Sequence, residues 1–132
     1  MRNQGRQLVE AAEEVLKKAY APYSQFQVGA AVLTKQGNIF TGCNVENASY
    51  GLCICAERNA IASAVTTEGG DLEIVAIAIE NNRQIPFAPC GACRQVIQEF
   101  GENAVVVHRS HKTWWQTSSI KSLLPQGFFF QP

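Results

Sequence analysis

The chain has 132 residues, of which 46% are hydrophobic and 17% charged, and its formal net charge is zero. That size and balance fit one globular domain, 1–132, with its own core. A neutral chain lacks the basic footprint of a protein that tracks a phosphate backbone, which disfavours long nucleic acid as a partner, and no apolar run approaches membrane-spanning length.

Met1 to Gly5 leads into a polar segment rather than an apolar signal core, so a cytoplasmic protein is expected. From Gln4 to Tyr20, Leu8, Ala11, Ala12, Val15, Leu16 and Ala19 recur at three- and four-residue steps. This predicts an amphipathic helix, stopped by Pro22. Phe26 to Thr34 and Asn38 to Gly42 read as two strands of a hairpin, with Gly37 in a left-handed turn position. Asn44 to Gly51 is polar and irregular. From Ala56 a second helical stripe runs through Ala60, Ile61, Ala64 and Val65, ended by Gly69-Gly70.

Leu72 to Ile79 is β-branched and almost uncharged, as expected of a strand buried on both faces. A loop with two prolines follows. Gly91 to Phe100 predicts a third helix with Val96, Ile97 and Phe100 inward. Ala104 to His108 predicts a short buried strand, and Thr113 to Thr117 an edge strand. Ser118-Ser119 is placed to cap a last helix that reaches Leu124, and Pro125 breaks it. The order implies an α/β fold: a mixed sheet with helices on both faces.

Five cysteines, Cys43, Cys53, Cys55, Cys90 and Cys93, are an odd set for a disulfide framework. Cys90-Gly91-Ala92-Cys93 puts two thiols one turn apart at a helix start, where free N–H groups favour thiolate. On that spacing alone a redox dithiol, a structural zinc half-site and a catalytic zinc half-site weigh equally. Cys55, also at a helix start and followed by Glu57, tips the balance to zinc.

A closed structural site needs a fourth ligand, from Cys43, Cys53, His108 or His111. Cys53 is expected to point away from Cys55, and both histidines to be solvated. The favoured reading is three thiolates plus a water, with Glu57 as the base that takes the water's proton. Three thiolates overcompensate the ion's charge. Arg58 and Arg94, each next to a ligand, are expected to donate to a thiolate, at least one of them doing so.

Cys55-Ala56-Glu57 followed by Pro89-Cys90-Gly91-Ala92-Cys93 is the zinc deaminase pattern. Together with Ala21-Pro22-Tyr23-Ser24, Phe26 to Ala31, Gly42 to Ala48, Arg94-Gln95 and Leu123-Leu124-Pro125, nearly the whole chain resembles the free-nucleoside cytidine deaminases. The resemblance is to the small homotetrameric type with three cysteine ligands. It implies a three-layer α-β-α sandwich with about five strands, and one zinc per subunit.

It also implies hydrolysis of cytidine and 2′-deoxycytidine to uridine and 2′-deoxyuridine. Phe26 resembles the aromatic that packs on the pyrimidine. Asn44 and Glu46 resemble the pair that binds the ribose 3′-hydroxyl. The loop of Asn44, Val45, Glu46, Asn47, Ala48, Ser49 and Tyr50 resembles the substrate-contacting segment, and the backbone of Ala56 would read the base. Phe128, or its neighbours Phe129 and Phe130, resembles a tail aromatic that enters a neighbouring subunit's site. The alternatives are a deaminase of a modified cytosine such as blasticidin S, and a non-catalytic zinc-stabilised interaction module.

Overall fold

A computed structural model describes residues 3–111 and 114–131. The elements are α1 (Asn3–Leu16), β1 (Val28–Thr34), β2 (Ile39–Cys43), α2 (Ala56–Glu68), β3 (Ile74–Asn81), α3 (Gly91–Phe100), β4 (Val105–His108), β5 (Gln116–Ser119) and α4 (Ile120–Leu123). The sheet runs β2-β1-β3-β4-β5. All neighbours are antiparallel except β3 and β4, which are parallel and joined through α3. This is the expected mixed α/β sheet with helices on both faces.

Strand alternation divides the core in two. Ala30 and Val32 of β1, Ile77 and Ile79 of β3 and Val106 of β4 meet Ala56, Ala60, Ile61, Ala64 and Ile97 of α2 and α3. Ala31, Leu33, Ala78 and Val107 face the other way and meet Leu8, Val9 and Ala12 of α1. Alanine at two of those positions leaves room for α1 to lie close. At Gly29 of β1 the approach is closer still, since a Cβ there would sit 2.1 Å from the Ala12 carbonyl oxygen.

Several boundaries differ from the sequence expectation, each because a distant partner takes the backbone. α1 ends at Leu16 rather than Tyr20, because the Tyr20 N–H donates to the Asn44 carbonyl at 3.0 Å and Tyr20 bridges to Val45. β1 starts at Val28 rather than Phe26, since the Asn44 carboxamide takes the Val28 N–H and binds the Phe26 carbonyl. The edge strand falls on Gln116–Ser119 rather than Thr113–Thr117; of that expected strand, Thr113 lies outside the described residues. β3 runs two residues further than expected, to Asn81. Gly37 does adopt positive φ, at 90°, and Ser119 caps α4 through the Ser122 N–H.

His108 is a correction. It is buried, not solvated, at 7% exposure. As the last residue of β4 it pairs with Gln116, so its ring turns inward, with Nδ1 3.0 Å from the Arg109 carbonyl and Nε2 3.0 Å from the Ser118 hydroxyl. Next to it, Arg109 makes a buried two-pronged ion pair with Glu80, at 2.6 Å between Nη2 and Oε2. His111 is exposed, as expected.

Candidate metal centre and active site

α2 and α3 pack on one face of the sheet and bring their first residues together. Cys55 is the N-cap of α2, and Cys90 the N-cap of α3, with Cys93 in its first turn. Neither N-cap side chain binds its own helix backbone. The sulfurs are therefore free to converge near two sets of unpaired N–H groups. The Sγ atoms of Cys55, Cys90 and Cys93 all lie within 4.8 Å of one another, and Cys55 and Cys90 are 3.9 Å apart. Sulfurs about 2.3 Å from a tetrahedral zinc stand about 3.8 Å apart, so the group has the right size for that ion.

No fourth histidine, cysteine or carboxylate joins the group among the described residues. Cys53 turns away, as its spacing suggested: its Sγ lies 3.3 Å from the Asn47 N–H and 3.7 Å from the Asn47 carbonyl. His108 spends both ring nitrogens elsewhere. Three thiols with a place left over is the donor set of a hydrolytic rather than a closed structural zinc site.

The electrostatics fit the same use. Hydrogen bonding from Cys93 lowers the Cys55 pKa to about 5, helped by Arg58 against a desolvation penalty. Cys93 moves the opposite way, because it donates to Cys55 and is itself buried. The metal-free cluster thus holds one easily formed thiolate shared among three sulfurs. A bound divalent ion replaces the remaining thiol protons. Glu57 is only 2% exposed, and burial first, then the nearby Cys55 charge, raises its pKa to about 7. A buried carboxyl beside the thiols, raised in this way while the ion is absent, is placed to take and return a proton.

The two arginines differ. Arg58 donates through Nη2 to the Cys55 sulfur at 3.5 Å, one helical turn away, and that thiolate keeps its guanidinium charged. Arg94 gives no such bond. Its Nε donates to the Pro89 carbonyl at 2.7 Å and its Nη1 to the Leu123 carbonyl at 2.8 Å, tying the Pro-Cys turn to the C-terminal segment. Of the two, Arg58 makes the thiolate contact and Arg94 does not.

Phe26 is half-buried against the core, tilted on Phe87 at 5.4 Å between ring centres. Asn44 and Glu46 both bind the segment before β1. The Glu46 carboxylate takes the Tyr23 and Ser24 N–H groups at 3.0 and 3.1 Å, and these bonds, with the Ser24 hydroxyl foremost, lower its pKa. Glu46 lines a cavity of about 290 Å³ with Tyr23, Ser24, Tyr50 and Cys53. Neither this cavity nor a bigger one of about 750 Å³, lined partly by Phe128 and Phe129, is lined by Cys55, Cys90, Cys93 or Glu57. Val45, Asn47, Ala48, Ser49 and Tyr50 form the exposed loop beyond Asn44, and Ala56 is fully buried at the start of α2.

Phe128 is 68% exposed, while its backbone is bracketed by the Gln95 carboxamide at 3.0 and 2.9 Å. Ser24 and Gln95 stand within the motifs that carry the resemblance, but the sequence assigned neither a role. A serine two residues before a key aromatic is a turn signal that could have drawn notice; nothing local marks Gln95.

The family model for the cytidine and deoxycytidylate deaminase zinc-binding region matches residues 2–109. A cytidine deaminase of Halalkalibacterium halodurans is 49% identical over 122 residues, covering 92% of this chain and 91% of that one. A cytidine deaminase of Mycobacterium tuberculosis is 44% identical over 117 residues, covering 89% and 84%. The crystal structure of cytidine deaminase from Burkholderia pseudomallei superposes with a TM-score of 0.84 at 47% identity, covering 97% of this chain and 100% of that chain. Since the matched region contains both half-motifs, and the sulfurs they supply meet in space, the chain belongs to the cytidine and deoxycytidylate deaminase family.

Proposed function

We propose that this protein is a zinc-dependent hydrolase that converts cytidine and 2′-deoxycytidine, with water, to uridine or 2′-deoxyuridine and ammonia. The observation that carries the reading is the buried Glu57 next to a group of three thiols that no fourth side chain completes among the described residues. Relatives and structural neighbours named cytidine deaminase support the substrate class.

Zinc, when held by Cys55, Cys90 and Cys93, supplies Lewis acidity toward water. Glu57 accepts a proton from the attacking water and delivers it to N3 of the cytosine as the oxygen bonds to C4. It then moves the second proton to the departing amine, and ammonia leaves. Arg58 and the two helix starts offset the charge of the thiolates. Phe26 packs on the base, the Ala56 backbone reads its amide edge, and Asn44 and Glu46 bind the 3′-hydroxyl. The loop from Asn44 to Tyr50 contacts the nucleoside.

The whole chain, 1–132, acts as one catalytic domain of a cytoplasmic homotetramer serving pyrimidine nucleoside salvage. Exposed Tyr50, Phe128 and Phe130, at 73%, 68% and 77%, form apolar surface that association would cover. Phe128, its backbone pinned by Gln95, is the tail aromatic that reaches a neighbouring site.

The test is incubation with cytidine while the ultraviolet spectrum is followed toward uridine, with and without a strong chelator. Glu57→Gln is expected to keep zinc and nucleoside binding and to lose at least about 10²–10⁴-fold in turnover. Turnover that survives either the chelator or this substitution refutes the reading.

A further inference from the structure

The Glu46 carboxylate does not stand alone. Its Oε1 accepts the backbone N–H groups of Tyr23 and Ser24, and its Oε2 accepts the Ser24 hydroxyl. The same hydroxyl accepts the Phe26 N–H at 3.0 Å. Between them, Gln25 has φ 60°, a left-handed conformation unusual outside glycine. It turns the chain back so that the Phe26 N–H reaches the Ser24 hydroxyl. On its far side Phe26 is held again, its carbonyl accepting from the Asn44 carboxamide at 2.9 Å.

A carboxylate offers about four acceptor positions. The segment before β1 fills three of them: two on Oε1 and one on Oε2. The remaining position on Oε2 can receive only a donor, and Glu46 lines the cavity shared with Tyr23, Ser24, Tyr50 and Cys53. A sugar hydroxyl is such a donor.

We infer that Ser24 is a positioning residue whose single hydroxyl sets Glu46 against the sugar and Phe26 against the base, and so links sugar recognition to base recognition. The inference rests on the ribose reading of Glu46. It goes beyond that reading by placing the control of sugar discrimination in a residue that need not touch the substrate. Without the hydroxyl, the carboxylate keeps its two backbone donors but is free to swing about them. The nucleoside then loses a fixed acceptor, whereas Glu57 and the thiols are untouched.

The experiment measures kcat and KM for cytidine and 3′-deoxycytidine with the zinc-loaded protein and its Ser24→Ala, Ser24→Thr and Glu46→Gln variants. Ser24→Ala is expected to raise KM for cytidine by roughly two- to tenfold, the worth of one hydrogen bond, with kcat held within about twofold. The preference for cytidine over 3′-deoxycytidine is expected to narrow by a similar factor. Ser24→Thr, which keeps the hydroxyl, is expected to restore both. If Glu46→Gln narrows the preference and Ser24→Ala does not, the inference is overturned and the ribose reading stands. If Glu46→Gln leaves the preference intact, both fall. Equal losses of kcat in the Ala and Thr variants would show a merely structural serine and also overturn the inference.

Discussion

Gly42 braces the helix that carries Cys55 and Glu57. It lies in β2, and a Cβ added there would stand 2.3 Å from the Ala60 nitrogen, 2.7 Å from the Ala56 carbonyl oxygen and 2.8 Å from the Asn59 carbonyl carbon. All three are backbone atoms of α2, so no side chain can rotate away. Ordinary contact begins near 3.4 Å, so Gly42→Ala must push strand and helix apart by about an ångström. The Asn59 carboxamide, which donates to the Cys43 carbonyl at 2.8 Å, resists that separation.

Overpacking of this kind costs about 1–3 kcal/mol. A displacement of about 1 Å at a catalytic group costs on the order of 10²-fold in rate. Gly42→Ala is therefore expected to lower the urea midpoint by the equivalent of about 2 kcal/mol and kcat/KM for cytidine by about 100-fold. Gly70→Ala, where a Cβ meets nothing within 4 Å, is the control and should stay within about 0.5 kcal/mol of the parent. β2 is an edge strand and is free to yield in place of α2. A Gly42→Ala protein that loses stability but keeps its rate would refute the bracing argument, and one that keeps both would refute the overlap itself.

Three other outcomes follow from the charges. In chelator-treated protein, Glu57 has its pKa raised from 4.5 to about 7, so its stabilising protonated state is complete below pH 4.5 and is lost as pH rises through 7. Glu57→Gln is thus expected to be more stable than the metal-free parent at pH 8 by about 3 kcal/mol, with little difference at pH 4.5, by urea unfolding; equal gains at both pH values would contradict the burial argument. Chelator treatment should also expose a thiolate at Cys55. With its pKa at about 5, alkylation followed by mass spectrometry should already be near its plateau at pH 6.5, and zinc should block it. A rate that climbs through pH 8 to 9 would place the charge elsewhere. Arg109→Ala leaves Glu80 buried and unpaired and should cost about 3–5 kcal/mol, with altered emission from Trp114 and Trp115, whose rings lie 4.5 and 4.8 Å from the guanidinium. A smaller loss would mean that water reaches Glu80.

The amino-acid sequence alone determined whatever depends on neighbours within a turn or two. The α1 stripe, the left-handed Gly37, the Ser119 cap and the starts of α2 and α3 are set by such local patterns. So is the placing of Cys55, Cys90 and Cys93 at those starts, which is why the metal centre was legible. The tertiary structure decided between residues that look alike locally. Arg58 and Arg94 each adjoin a ligand, but Arg58 folds back over its own helix to the Cys55 sulfur while Arg94 meets Leu123. His108 sits by a polar turn in the sequence, yet β5 closes over it. Asn44 and Glu46 read as a loop pair; the β1–β2 register sets Asn44 on Phe26 and Val28, and the bridge of Tyr20 with Val45 brings Glu46 onto Tyr23 and Ser24. Except for Arg58, whose partner is one turn away, the partner lies well along the chain, and the packing of strands and helices, not local preference, selects it.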